Sequence, residues 1–134
     1  PAAAQLSSKL DIKPEMSYDL SGSLTLVGVN RGSKKGLKSL VKSFKENYVL
    51  DPALPVGILT SDCEKDGDWL ESAIRKEDGC AELTVLRASV GPTIGSHVGP
   101  GMVAIAFWGK NRTEKISLTD RIANRVRGAE GTKA

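Results

Sequence analysis

Ser89–Trp108, SVGPTIGSHVGPGMVAIAFW, is the stretch whose reading decides the fold. Its second half, Met102 to Trp108, is an unbroken apolar run of the length and composition of a buried strand. Its first half holds the sole histidine of the chain, His97, flanked by Gly91, Pro92, Gly95, Gly99, Pro100 and Gly101. Proline fixes φ and glycine permits left-handed backbone and close approach, so this half is a tightly shaped loop. A titratable group on a sculpted loop, tied to the core by the next strand, is where binding and catalytic groups tend to sit.

Working outward, Leu83 to Arg87 reads as the strand that feeds this loop, and Val56 to Leu59 as another short buried strand. Between them Thr60-Ser61-Asp62 leads into a helix with Trp69, Leu70, Ala73 and Ile74 on its apolar face. Asp62, Glu64 and Asp66 crowd its start and Arg75 and Lys76 its end, which suits the helix dipole. Gly79 is its natural stop. Upstream, Ser33 is placed to cap a helix carrying Leu37, Leu40, Val41, Phe44 and Tyr48 on one face. Lys34, Lys38 and Lys42 line the other side, as a solvated face or as a docking surface for an acidic partner. Before that, Ile12 to Leu20 and Leu24 to Val29 alternate with period two around the turn signal Ser21-Gly22, which predicts a hairpin. Pro1 to Leu10 reads as the end of a leading helix, and Leu118 to Val126 as a tail helix with disordered flanks. The order ββ–α–β–α–β–β predicts an α/β (α+β two-layer) domain: a mixed sheet with helices packed mainly on one face.

The 134 residues suit one compact domain. No apolar stretch approaches the roughly 20 residues of a membrane-spanning helix. No basic segment precedes an apolar one at the N-terminus, so no signal peptide is read there. The chain opens PAAAQLSSKL with its first methionine at Met16, and reads as a fragment, or a processed chain, that starts partway through a helix. Cys63 and Cys80 are too few and too far apart for a zinc site or a CxxC pair; two reduced thiols in a cytoplasmic protein are the simpler reading. Residues 110–134 carry seven Lys/Arg against three Asp/Glu, so the basic balance belongs to this extension.

The chemistry narrows by exclusion. Ser96 neighbours His97, but adjacent residues point apart and no GxSxG elbow exists, so no catalytic residue is assigned. GPTIGSHVGPG is neither a dinucleotide fingerprint nor a P-loop, and a strand follows it rather than a helix. Ligand binding remains. A lone histidine is more often structural than functional, yet the surrounding glycines tip His97 toward pairing with an anion such as a carboxylate. Arg31, in NRGSKKG between a strand end and a helix start, is the second candidate anion contact.

IGSHVGPGMVAIAF closely resembles the histidine motif of DegV-family proteins, the bacterial fatty-acid-binding proteins. LDIKPEMSYDLSGSLTLVGVNRGSKKGLKSLV, ILTSDCEKDGDWLESA and VLRASVGPTIG are similar to further family segments, in family order. The resemblance covers about Pro1 to Gly109 as a C-terminal, lipid-binding domain and leaves 110–134 as a basic, partly helical extension. It implies a long-chain fatty acid held in an apolar tunnel between two domains, with no cofactor and no metal. It implies that His97 binds the carboxylate together with Ser/Thr groups of an N-terminal domain. Arg31 would face the acyl phosphate or a partner fatty acid kinase, and Gly95, Ser96, Gly99, Pro100 and Gly101 would form the motif backbone. The family is a non-catalytic subunit that presents fatty acid to that separate kinase. Two departures stand out: the N-terminal domain is absent from this chain, and Val98 stands where the family often has threonine. The competing reading is a small interaction or nucleic-acid-binding domain working through Lys34–Lys45 and Arg112–Arg127. Scarce aromatics for base stacking and the lack of a nucleic-acid motif disfavour it.

Overall fold

The computed structural model describes residues 11–91 and 100–132. The chain forms strands β1 (Ile12–Tyr18), β2 (Leu24–Arg31), β3 (Val56–Thr60), β4 (Val85–Ser89) and β5 (Val103–Ala106), with helices α1 (Ser33–Asn47), α2 (Glu64–Arg75) and α3 (Leu118–Thr132). The expected leading helix over Pro1 to Leu10 lies outside the described residues. Two compact units emerge, one from residues 37–110 and one from residues 1–36 with 111–134.

In the larger unit the strand order is β4-β3-β5, with β3 and β4 parallel and β3 and β5 antiparallel. This is the mixed sheet the sequence predicts. The register places Val56, Ile58, Thr60, Val85, Arg87, Val103 and Ile105 on one face. Leu37 and Phe44 of α1 join Leu70 and Ile74 of α2, Cys80 and Leu83 in one buried cluster with Val56 and Ile58. Phe44 stacks on Tyr48 at 4.5 Å and meets Phe107 edge-on at 5.1 Å. The opposite face carries Gly57, Leu59, Leu86, Ala88, Ala104 and Ala106, small or aliphatic residues that are half-buried or exposed. Leu86 there is 57% exposed.

Two expectations are corrected in detail. Trp69 does not join the core face of α2: it is 41% exposed, because the turn geometry selects Leu70 and Ile74. The strand expected at Leu83–Arg87 begins two residues later, and Leu83 is buried ahead of it, its carbonyl taken by Arg75 Nη1 at 2.8 Å.

In the smaller unit β1 and β2 pair antiparallel as a two-stranded sheet of their own. Asp19 organises the turn: its Oδ1 accepts from Ser21 N (2.9 Å), Ser21 Oγ (2.6 Å) and Ser23 N (2.9 Å). These bonds hold its carboxyl below the ordinary value, the Ser21 hydroxyl contributing most. The tail is tied to the hairpin by Arg112 Nη1, which donates to the Tyr18 carbonyl at 2.7 Å. Arg121 donates likewise to the Val27 carbonyl. The tail helix runs to Thr132, six residues beyond the expected end.

Candidate functional site

Strands β3 and β4 end side by side at Thr60 and Ser89. In open sheets of this type ligands gather beyond the carboxyl ends of parallel strands. A cleft of about 320 Å³ lies there, lined by Thr60, Ser61, Asp62, Glu64, Ser89, Val90, Gly91 and Pro100. Gly91 and Pro100, which line it, border residues 92–99 in the sequence.

Backbone bonds hold the cleft's walls. Val90 N donates to the Thr60 carbonyl (2.8 Å) and Ser61 N to the Met102 carbonyl (2.9 Å). Gly101 N donates to the Ser61 carbonyl (2.6 Å) with φ at +90°, a conformation that side chains rarely adopt. The motif's Gly101 is therefore needed for backbone shape. Asp62 also has positive φ, +51°, where Asp is among the better-tolerated residues. The chain thus turns sharply between the strand and α2.

The cleft's polar groups form one network. Thr60 Oγ1 donates to Glu64 Oε1 at 2.7 Å and Ser89 Oγ to the same oxygen at 3.3 Å. Arg87 Nη2 stands 3.6 Å from the other Glu64 oxygen, while its Nη1 reaches Asp68 (2.9 Å) and Glu71 (3.4 Å). The Asp68 bond, with Glu71, raises the Arg87 pKa further above its ordinary value against the opposing effect of burial. Glu64 is thus spread over two hydroxyls and a guanidinium rather than left as a bare charge. Ser61 is buried at the cleft, and its hydroxyl has no hydrogen-bond partner among the described residues. Cys63 Sγ donates to the Met102 carbonyl at 3.2 Å, and burial pushes its thiol pKa up, with Asp66, Glu64 and Asp62 adding to the rise.

Gly67 explains how α2 comes so close. A Cβ there would lie 2.8 Å from Thr60 Cγ2 and would collide with the Arg87 guanidinium. Only glycine lets the helix pack onto the strand ends while Arg87 spans its first turns.

Of the residues singled out in the sequence, Pro100 lines this cleft and Gly101 closes its wall. His97, Gly95, Ser96 and Gly99 lie outside the described residues. Arg31 closes β2 in the other unit, exposed and with no acidic partner among the described residues. Sequence reasoning passed over Ser61, Ser89, Glu64 and Arg87. The cue was the Thr-Ser-Asp at a strand end, read there only as a lead into a helix. Among the described residues no cluster of three or more His, Cys, Asp or Glu could hold a metal ion, and no helix is long and apolar enough to cross a membrane.

Comparison with known proteins places these features in context. The family model for DegV, an uncharacterised protein family, matches residues 1–110. A DegV domain-containing protein of Clostridium perfringens is 31% identical over 110 residues, which are 82% of this chain and 37% of that protein. The chain therefore spans little more than a third of that relative's length. A DegV family protein from Eubacterium eligens, solved loaded with heptadecanoic acid, superposes with a TM-score of 0.66 at 19% identity, over 81% of this chain and 38% of that one. A fatty acid binding DegV family protein from Streptococcus agalactiae superposes at 0.57 with 25% identity, over 78% of this chain and 36% of that one.

Proposed function

Since the chain belongs to the DegV family, we propose that it binds a long-chain fatty acid as one of two walls, without catalysing a reaction itself. The observation that carries this reading is the second face of the mixed sheet. Gly57, Leu59, Leu86, Ala88, Ala104 and Ala106 make an apolar strip that the helices of the unit do not cover, and the same strands end at a hydroxyl-rich cleft. An amphipathic ligand fits such a layout, with its chain along the strip and its head at the strand ends. The bare Cα of Gly57 and the methyl groups of Ala88, Ala104 and Ala106 leave room for a methylene chain close to the backbone. That one similar protein was solved loaded with heptadecanoic acid, and another is described as fatty acid binding, supports the same class of ligand.

In this proposal His97, on the loop between Gly91 and Pro100, donates to the carboxylate, and Gly95, Ser96 and Gly99 shape the loop that carries it. The engagement of Glu64 by Thr60, Ser89 and Arg87 lowers the repulsion a carboxylate meets there. One wall is not enough for affinity. Each buried CH₂ is worth about 0.8 kcal/mol, and a chain lying on one open face keeps much of its surface in water. The second wall is assigned to the remaining length of the longer relatives, as an N-terminal domain bringing Ser/Thr ligands. A separate fatty acid kinase would act on the presented carboxylate, with Arg31 toward that partner.

Native mass spectrometry of the full-length protein after addition of oleate tests the reading: a one-to-one adduct is expected, and no adduct would sink it. His97→Ala should weaken oleate binding by about 1–3 kcal/mol, the cost of leaving a charged group without its hydrogen bond. Unchanged affinity would remove His97 from the site. Arg31→Ala should slow acyl-phosphate formation with a kinase while leaving oleate affinity intact.

A further inference from the structure

The tail lies beyond the family match, and its helix is built unlike the others. Ser117 Oγ accepts from Asp120 N at 3.0 Å and donates to Asp120 Oδ2 at 2.6 Å, so α3 has a capped start. Beyond it every residue from Arg121 to Gly131 is exposed. An isolated helix of about this length is marginal in water, so a helix exposed on all sides lacks the packing that normally stabilises one.

Its sequence is nevertheless patterned. Leu118, Ile122, Val126 and Ala129 recur at the spacing of one face, with Ile122 and Val126 each 53% exposed. Arg121 and Arg125 run beside that stripe one turn apart. Lys115, Arg121 and Arg125 also line a cleft of about 600 Å³ with Ile116, Asn124 and Glu114. None of these three cations forms an ion pair among the described residues. The charge of the whole unit points the same way. Residues 1–36 with 111–134 hold eleven Lys/Arg and six Asp/Glu, whereas residues 37–110 hold eight and ten. The hairpin of that unit adds exposed Met16, Tyr18, Leu24 and Val29.

We propose that α3 is an interfacial helix that docks this protein on an anionic lipid surface. The apolar stripe enters the acyl boundary, and the arginines beside it stay at headgroup level, where phosphates complement their charge. The cleft of Lys115, Arg121 and Arg125 takes a lipid phosphate. Scarce aromatic residues argue against a nucleic-acid partner for the same cations, since single strands are held largely by stacking. The proposal stands on the tail and the unit it belongs to, and does not depend on fatty-acid binding.

Flotation of the full chain with vesicles of phosphatidylcholine, with and without phosphatidylglycerol, tests it. Recovery with the anionic vesicles only, falling as salt is raised, is expected, with a gain in helical circular dichroism on binding. Arg125→Ala should weaken binding by roughly fivefold, the effect of one basic residue near a charged membrane. Ile122→Asp with Val126→Asp should abolish it, and both variants touch only exposed positions, so the melting temperature should hold. His97→Ala should float like the parent chain, which separates this proposal from the fatty-acid reading. Equal recovery with neutral vesicles, or none with either, overturns the proposal. So does concentration-dependent self-association that Ile122→Asp abolishes, which would make a second copy the occupant of this face.

Discussion

Tyr48 illustrates what one atom can decide. Its ring stacks on Phe44 and meets Phe107 edge-on, yet its hydroxyl is buried without a hydrogen-bond partner among the described residues. Removing a buried group that has no partner costs little and can help, so Tyr48→Phe should leave stability unchanged or raise it by up to about 1 kcal/mol in urea unfolding. A clear loss would mean that the hydroxyl is satisfied after all. Gly67 is the converse case. Alanine there gains helix propensity of about 1 kcal/mol. It must, however, displace Thr60, whose side chain is fixed in a buried strand, and overpacking costs about 1–3 kcal/mol. The second effect should win, and Gly67→Ala should lower the urea midpoint and disturb the Arg87–Glu64 pairing. The thiols obey the same logic of surroundings. Burial raises the pKa of both Cys63 and Cys80, so alkylation at neutral pH should be slow in the native protein and fast in denaturant. Rapid native labelling of either thiol, read by mass spectrometry, would contradict its placement.

Elements were legible in the sequence wherever a local pattern suffices. The alternation of Ile12–Tyr18 with Leu24–Val29 and the Ser21-Gly22 turn announced the hairpin, and the Leu37–Phe44 spacing announced α1. A pattern fixes which side of an element is apolar, but not which of two adjacent residues turns inward. That is why Trp69, expected on the apolar face, is exposed, and β4 starts two positions later than the apolar run suggests. At this scale the hairpin turn predicts a pH effect. The hydrogen bonds to Asp19 depress its folded pKa below the reference 3.8, so its contribution is fully present above that value and lost as the pH falls through the folded pKa. The protection of the hairpin amides relative to their intrinsic exchange rates should therefore fall in acid, and Asp19→Ala should remove that dependence. The packing of α1 predicts a larger loss. Phe44 is 1% exposed within the core cluster, and Phe44→Ala should cost about 3–5 kcal/mol. Against a typical total of about 5–15 kcal/mol, a sharply lower melting temperature is expected.

At the scale of the whole molecule, the proposed function makes the apolar strip from Gly57 to Ala106 one of two walls, and the chain spans little more than a third of the length of the Clostridium perfringens relative. Oleate should bind this chain weakly and the longer protein tightly by calorimetry, and Ala104→Glu should abolish binding to the longer protein with little change in its melting temperature. Equal affinity for the two proteins would mean that no second wall is needed. The sequence by itself determined the order of elements and the mixed α/β class, because helix and strand periods act over a few neighbouring residues. Only the tertiary structure decided the rest. It paired the hairpin strands as a two-stranded sheet of their own and aligned Leu86 and Ala104 on one open face. It also brought Thr60, Ser89 and Arg87 to Glu64. Each of these depends on strand register and crossover between residues far apart in the chain, and short-range periodicity carries no record of either.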